Sequence, residues 1–357
     1  MVSSDIRADR TTRSIGILSM QPIHGGRLNE AVKRWNIPHA QWLDLSTGIN
    51  PIGWPVPTIP TQIWQRLPEA DDGLKAITRE WSGIPQQADC EPVAGSQAAI
   101  MALPRLRAPC RVGIPSIGYR EHEYSWRQAG HNLVAITAAQ TTSDDESWLD
   151  DLDVLVWINP NNPTGELIAP TTLLRWHNRL QQHGGWLIVD EAFIDATPEL
   201  SLCAYAGLPG LIILRSLGKF YGLAGVRAGA VLSEPSIIES LRQLLGPWSL
   251  SGPTRYVMAQ ALQDRAWQEQ TRLRLQHDTH RLAHILQTAG LTLLGGTVLF
   301  QTVRIHTPLA LAEYLATQGI LVRVFMQPGM LRFGLGANEQ QWQRLTRALM
   351  TYTGVKA

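Results

Sequence analysis

The sequence predicts an α/β protein: a mostly parallel seven-stranded sheet with helices on both faces, joined to a smaller α+β domain. Three observations predict it. Seven short apolar runs, at 91–94, 111–114, 133–136, 154–158, 186–189, 211–214 and 229–232, alternate with helical stretches, the spacing of strand–helix–strand units in a doubly covered sheet. Polar side chains able to do chemistry stand at the ends of several of these runs, where ligands sit in such sheets. After residue 234 the pattern changes to one long helix at 254–290, strands at 291–305, 320–325 and 330–335, and a last helix at 338–352.

A chain of 357 residues has room for two domains. Its 31 Lys and Arg against 30 Asp and Glu leave a net charge of +1, which argues against nucleic acid or an anionic membrane as partner. A bound anion must therefore be held by local groups. Cys90, Cys110 and Cys203 are odd in number and lack CxxC spacing, which fits reduced thiols in the cytoplasm. No apolar run approaches the roughly 18 residues of a membrane span. Residues 1–20 mix charged and hydroxyl side chains around one short apolar patch and read as a loose leader.

Residues 21–53 hold Gln21-Pro-Ile-His-Gly-Gly-Arg27, an amphipathic stretch around Leu28 to Trp35, and Ser46-Thr-Gly-Ile-Asn-Pro-Ile-Gly53. His24, beside Gly25 and Gly26, suits an anionic substrate, and Asn50 suits the same cleft; for both, a cap or turn residue is the alternative. This segment is expected to pack with a small domain at 236–357. A proline-rich connector at 54–61 opens the large domain, 54–235. A helix follows at 71–82, with Asp71 or Asp72 as N-cap and Leu74, Ile77 and Trp81 on one face.

After the first strand, Gly95-Ser96-Gln97 opens a helix at 98–103, whose free N–H groups and hydroxyl make a phosphate seat. The second strand leads to Ile117 and Tyr119, and the fourth to the rigid turn Asn159-Pro-Asn-Asn-Pro-Thr-Gly165. The fifth ends at Asp190-Glu-Ala-Phe193, a carboxylate at a buried strand tip that needs a partner. The sixth ends at Ser216, followed by Lys219 and Arg227. A desolvated lysine becomes a neutral, nucleophilic amine able to condense with an aldehyde such as pyridoxal phosphate (PLP), and a hydroxyl and a guanidinium suit that molecule's phosphate. The alternative is a loop lysine after a core strand. His277, His280 and His284 share a helix face, but no fourth ligand accompanies them, and no metal is expected.

Over nearly the whole chain these residues resemble the aspartate aminotransferase-like, fold type I PLP-dependent transferases. The resemblance rests on Ser216 three residues before Lys219, Arg227 eight after it, Asn162 in Asn-Pro-Thr-Gly, Asp190 about thirty before the lysine, and Arg332 in Leu-Arg-Phe-Gly. It implies pyridoxal 5'-phosphate on Lys219, its phosphate on Ser216 and Arg227, its phenolic oxygen on Asn162 and its pyridine nitrogen on Asp190. Ser96, Gln97, Ile117 and Phe193 complete the implied cofactor site, and Arg332 takes the substrate carboxylate.

Within that superfamily the chain is similar to histidinol-phosphate aminotransferases and, nearer still, to the L-threonine O-phosphate decarboxylases of cobalamin synthesis, through His24-Gly25-Gly26, residues 46–53, 67–74, 94–100 and 190–193, and Pro247-Trp248. Three positions depart from the aminotransferase pattern. Phe193 stands where tyrosine is usual, leaving more of the phenolic oxygen to Asn162; Leu67 replaces a tyrosine that reaches across a dimer; and either Ile117 or Tyr119 takes the place of the stacking ring.

The resemblance implies PLP-dependent decarboxylation of L-threonine O-3-phosphate to (R)-1-aminopropan-2-yl phosphate. His24, the Gly25-Gly26 backbone and Arg323 are candidates for the substrate phosphate, Asn50 and Asn162 for the cleft, and Lys219 for the proton donor. Transamination of histidinol phosphate is the alternative. A non-catalytic PLP-fold sensor or scaffold is disfavoured, because such a role would relax the need for Lys219 and Asp190. A cytoplasmic homodimer with a small phosphorylated amino acid as substrate is implied.

Overall fold

The structure, a computed structural model, describes Pro22 and residues 24–354. The leader predicted at residues 1–20 lies outside the described residues. Leu43–Asp44 (β1) precedes seven strands: Asp89–Val93 (β2), Arg111–Pro115 (β3), Asn132–Ile136 (β4), Val154–Ile158 (β5), Trp186–Asp190 (β6), Leu211–Ser216 (β7) and Gly229–Ser233 (β8). They form one sheet in the order β2-β8-β7-β6-β5-β3-β4. β8 runs antiparallel to both its neighbours, while the other adjacent pairs are parallel. The reversal brings the start of β8 to the edge where the other six strands end.

Both faces of the sheet are buried, as the apolar runs predict. In β5, Val154 and Val156 face one core while Leu155 and Trp157 face the other; in β7, Ile212 and Leu214 oppose Leu211 and Ile213 in the same way. Period-two alternation with both sets apolar is what a sheet between two helical layers requires.

A second sheet joins Thr292–Thr297 (β9), Phe300–Arg304 (β10), Arg323–Phe325 (β12) and Met330–Gly334 (β13) in the order β12-β13-β10-β9, all antiparallel. Ile320–Leu321 (β11) instead pairs in parallel with β1, so the N-terminal segment adds a strand to the C-terminal part of the chain. The small sheet meets the strand ends of the large one through glycines. A Cβ at Gly165 would lie 2.2 Å from the Gly296 backbone, and one at Gly295 would lie 2.4 Å from the Thr164 carbonyl. Only bare backbone allows that approach. Thr302 Oγ1 donates to the Pro163 carbonyl at 2.6 Å across the same contact.

Several expected boundaries move. The stretch 254–290 is two helices, Gly252–Gln263 and Arg265–Thr288; Asp264 breaks it by accepting from Trp267 N at 3.0 Å, an N-cap inside a helical pattern. Residues 291–305 form the β9–β10 hairpin rather than one strand, and 320–325 splits at Val322 between two sheets. The first phosphate-seat helix begins at Ser96 rather than at residue 98. The helix expected from Asp71 begins at Leu74, with Gly73 as N-cap, and Asp72 accepts from Leu74 N at 3.0 Å.

Candidate active site

The polar strand ends converge. β7 and β8 are joined by a loop closed by a hydrogen bond from Leu217 N to Ala228 O at 3.0 Å, and this loop carries both Lys219 and Arg227. Arg227 adopts φ 56, a left-handed backbone uncommon for a side-chain-bearing residue. Its guanidinium lies over the turn at Gly95, where a Cβ would sit 2.8 Å from it. Gly229 pairs with Ser216 in the sheet, and a Cβ there would lie 2.8 Å from Ser96 N. Glycines at 95 and 229 thus let Ser96, Ser216 and Arg227 gather at one spot, a hydroxyl, amide and guanidinium set suited to a phosphate.

Lys219 lies within electrostatic reach of both Arg227 and Asp190. Burial first, and the Arg332 guanidinium second, push its amine down to about 8 against the opposite pull of Asp190. Its Nζ lies 5.7 Å from the centre of the Phe193 ring. Phe193 is buried and packs edge-on against Phe300, with ring centres 5.3 Å apart, and Gly48 leaves the room for both rings. Asp190 is buried at the tip of β6, with Oδ2 2.9 Å from His122 Nε2 and Oδ1 accepting from Ala192 N at 3.1 Å. The partner that a buried carboxylate needs is therefore His122.

Below Asp190, Arg215 is buried against Asp195 and lies 4.4 Å over the Trp81 ring. This buried pair braces the turn that holds Asp190 and Phe193.

On the small-sheet side, Arg332 is buried and donates to Asn162 Oδ1 and, at 2.7 Å, to the Ser46 carbonyl. Arg323 is its direct cross-strand partner. Burial first, then Arg323, draws the Arg332 guanidinium below its ordinary value. A buried cation beside a partly buried one favours an anion between them.

The other predicted residues lie around this centre. Ile117 offers its carbonyl to Asn161 Nδ2 at 2.8 Å, and Tyr119, two residues on, sets its ring edge-on to His122 with centres 6.3 Å apart. Asn50 is buried behind Lys219, its N–H donating to the Lys219 carbonyl at 3.0 Å and its side chain bonded to Phe220 O, Ile52 N and Arg274. That is the arrangement of a turn residue. Gly25 packs so tightly on the Ser46 carbonyl that a Cβ would sit 2.3 Å away. His24 is held by Glu121 at 2.5 Å, and Glu121 also takes Gln97 Nε2 at 3.0 Å. Sequence reasoning missed His122, Glu121 and Arg215; the run Tyr119-Arg-Glu-His-Glu123 after a strand end was the signal for the first two.

Residues 86–355 match the family model for aminotransferase class I and II. The chain belongs to that family. Among the family's proteins, the chain is 51% identical to the threonine-phosphate decarboxylase of Pseudomonas aeruginosa, over 92% of this chain and 97% of that protein. It is 31% identical to the histidinol-phosphate aminotransferase of Salmonella arizonae, over 68% and 72% of the two chains. In structure it is similar to the histidinol-phosphate aminotransferase from Sinorhizobium meliloti in complex with pyridoxal-5'-phosphate, with a TM-score of 0.79, 21% identity and coverage of 95% and 97%. The fold is thus that of the aminotransferases of fold type I, and the site has the donor set a phosphorylated pyridine aldehyde needs. That set comprises phosphate-binding groups, a buried carboxylate and an amine of lowered basicity that feels both Arg227 and Asp190.

Proposed function

We propose that this chain uses pyridoxal 5'-phosphate to decarboxylate L-threonine O-3-phosphate, giving (R)-1-aminopropan-2-yl phosphate for cobalamin biosynthesis. The observation that carries this reading is the 51% identity to a threonine-phosphate decarboxylase across 92% of the chain, well above the 31% identity to a histidinol-phosphate aminotransferase.

Bound PLP supplies an electron sink for negative charge developing on the substrate's α-carbon. The rest falls to residues of this chain. Ser96, Ser216 and Arg227 would hold the cofactor phosphate, with Gln97 beside them. Asn162 would face the phenolic oxygen, and Asp190, fixed by His122 and the Ala192 N–H, would keep a negative charge for the pyridine nitrogen. Tyr119 offers the ring for stacking, with Ile117 at the edge, and Phe193 walls the amine from water.

Lys219, its amine buried and lowered in basicity, would hold the cofactor through its aldehyde carbon. Arg332 and Arg323 stand side by side and give a dianionic substrate two anchors. With carboxylate and phosphate so held, these residues would present the bond between Cα and the carboxyl carbon for cleavage. It breaks, CO2 leaves its electron pair at Cα, and Lys219 Nζ returns a proton there. His24, Gly25 and the Asn50 turn close the cleft on the N-terminal side.

The two sheets support a division into a cofactor-binding part at 54–235 and a smaller part built from 21–53 and 236–357. Among the described residues no helix is long and apolar enough to cross a membrane; the reading places the protein in the cytoplasm. Trp64, Leu67 and Trp248 are exposed on segments joined where Gly252 meets the Ile63 carbonyl, an apolar surface that suits a homodimer. Sedimentation is expected to give twice the chain mass, and a monomer at all concentrations would refute the dimer.

The test of the reaction is product analysis. Purified protein loaded with PLP is expected to release CO2 and 1-aminopropan-2-yl phosphate from threonine phosphate. Absence of CO2, with glutamate instead converting the cofactor to its amine form, would replace this reading by transamination.

A further inference from the structure

We propose that Glu121 is a positioning residue, a latch that ties the N-terminal segment 24–27 to the rim of the site. Glu121 lies in the first turn of the helix Arg120–Gln128, and each of its oxygens has a partner. Oε1 accepts from His24 Nε2 at 2.5 Å, and Oε2 accepts from Gln97 Nε2 at 3.0 Å. With its amide nitrogen on Glu121, Gln97 turns its Oε1 to the Tyr119 hydroxyl, which donates at 3.1 Å. Burial first, then the Glu121 charge, raises the Tyr119 phenol above its ordinary value, so it keeps the proton it donates. One carboxylate thereby fixes a stacking ring, a side chain at the phosphate seat and an imidazole from a distant part of the chain.

Segment 24–26 also packs: the His24 ring meets the Tyr119 ring with centres 5.5 Å apart, and Gly25 lies close on the Ser46 carbonyl. Among the described residues its hydrogen bonds are His24 to Glu121 and Gly26 N to Ser46 Oγ, the latter at 2.7 Å. Ser46 in turn accepts from Arg332 through its carbonyl. The segment is therefore a strap, tied at one end to Arg332's support and at the other to Glu121. A carboxylate acceptor makes the bond charge-assisted, and with the Glu121 side chain only 14% exposed against 42% for His24 it is partly shielded from water. Cutting that tie leaves the Tyr119 ring contact as the hold on that end of the strap, and leaves Lys219 and Asp190 in place.

Two readouts test the latch, and the first does not depend on the decarboxylase reading. In full-length Glu121→Ala, amide hydrogen exchange in a peptide spanning 22–28 is expected to speed by about tenfold relative to wild type, with the strands of the large sheet unchanged. The near-isosteric Glu121→Gln, expected to lie between the two, serves if the alanine variant does not fold. The second readout rests on that reading: for threonine phosphate, Glu121→Ala and His24→Ala are each expected to lower kcat/KM by about tenfold, mostly through KM. The double variant is expected to lose about tenfold rather than a hundredfold, because both act through one contact. Unchanged exchange, or losses that multiply, would overturn the latch. If wild type proves not to decarboxylate threonine phosphate, the exchange result alone decides.

Discussion

Lys219→Ala is expected to lower decarboxylation by about 10⁴-fold or more, the loss typical when a nucleophile that also moves protons is removed. The loaded wild-type protein is expected to show a visible absorption band that borohydride abolishes, and the variant is expected to lack it. The pH dependence of loading gives a second check. An amine held at about 8 is neutral, and nucleophilic, above that pH and protonated below it. The rate at which the cofactor-free protein takes up the aldehyde should therefore rise as pH passes through about 8 and then level off, well short of the ordinary lysine range. A rate still climbing at the ordinary lysine value would show that burial and Arg332 do not tune this group.

Asp190→Asn is expected to lower kcat by about 10³-fold, because it removes a fixed negative charge from a site shielded from water. The substitution keeps the shape of the side chain, and Phe193, Arg215 and Asp195 still brace its turn. It does alter the pairing with His122, buried against it at 2.9 Å, so a loss of about 1–3 kcal/mol in stability is expected as well. Thermal melting separates the two effects. Asp190→Glu restores the charge, and its recovery of activity without recovery of melting temperature would distinguish electrostatics from packing.

Most of the large sheet was legible in the sequence because a strand buried on both faces leaves an apolar run that little else produces, as at β5, β6, β7 and β8; β2 and β4 are less buried, and their runs fall within a few residues of the observed strands. The small sheet was harder to read. Its hairpin turns at Val298-Leu299, with neither glycine nor proline to mark it, so 291–305 looks like one strand. Asp264 was likewise invisible as a helix break, since its role depends on reaching Trp267 N.

At the site, Ser216, Lys219 and Arg227 could be found by spacing because one short loop holds all three. The pairing of Arg323 with Arg332 depends on register between two strands, which no local pattern reveals. Glu121 and His122 sit among charged neighbours in what reads as a solvated first helical turn. Only the fold shows that one of them faces Asp190 and the other meets His24.

The hairpin of β7 and the reversed β8 has a mechanical effect. Because the amine and the guanidinium belong to a single connection, closed by the Leu217–Ala228 hydrogen bond, thermal breathing of the two sheets carries them together. A cofactor held by Arg227 would therefore be held by the same loop that carries Lys219. Any relative movement of the two sheets would leave the spacing between that amine and that guanidinium unchanged.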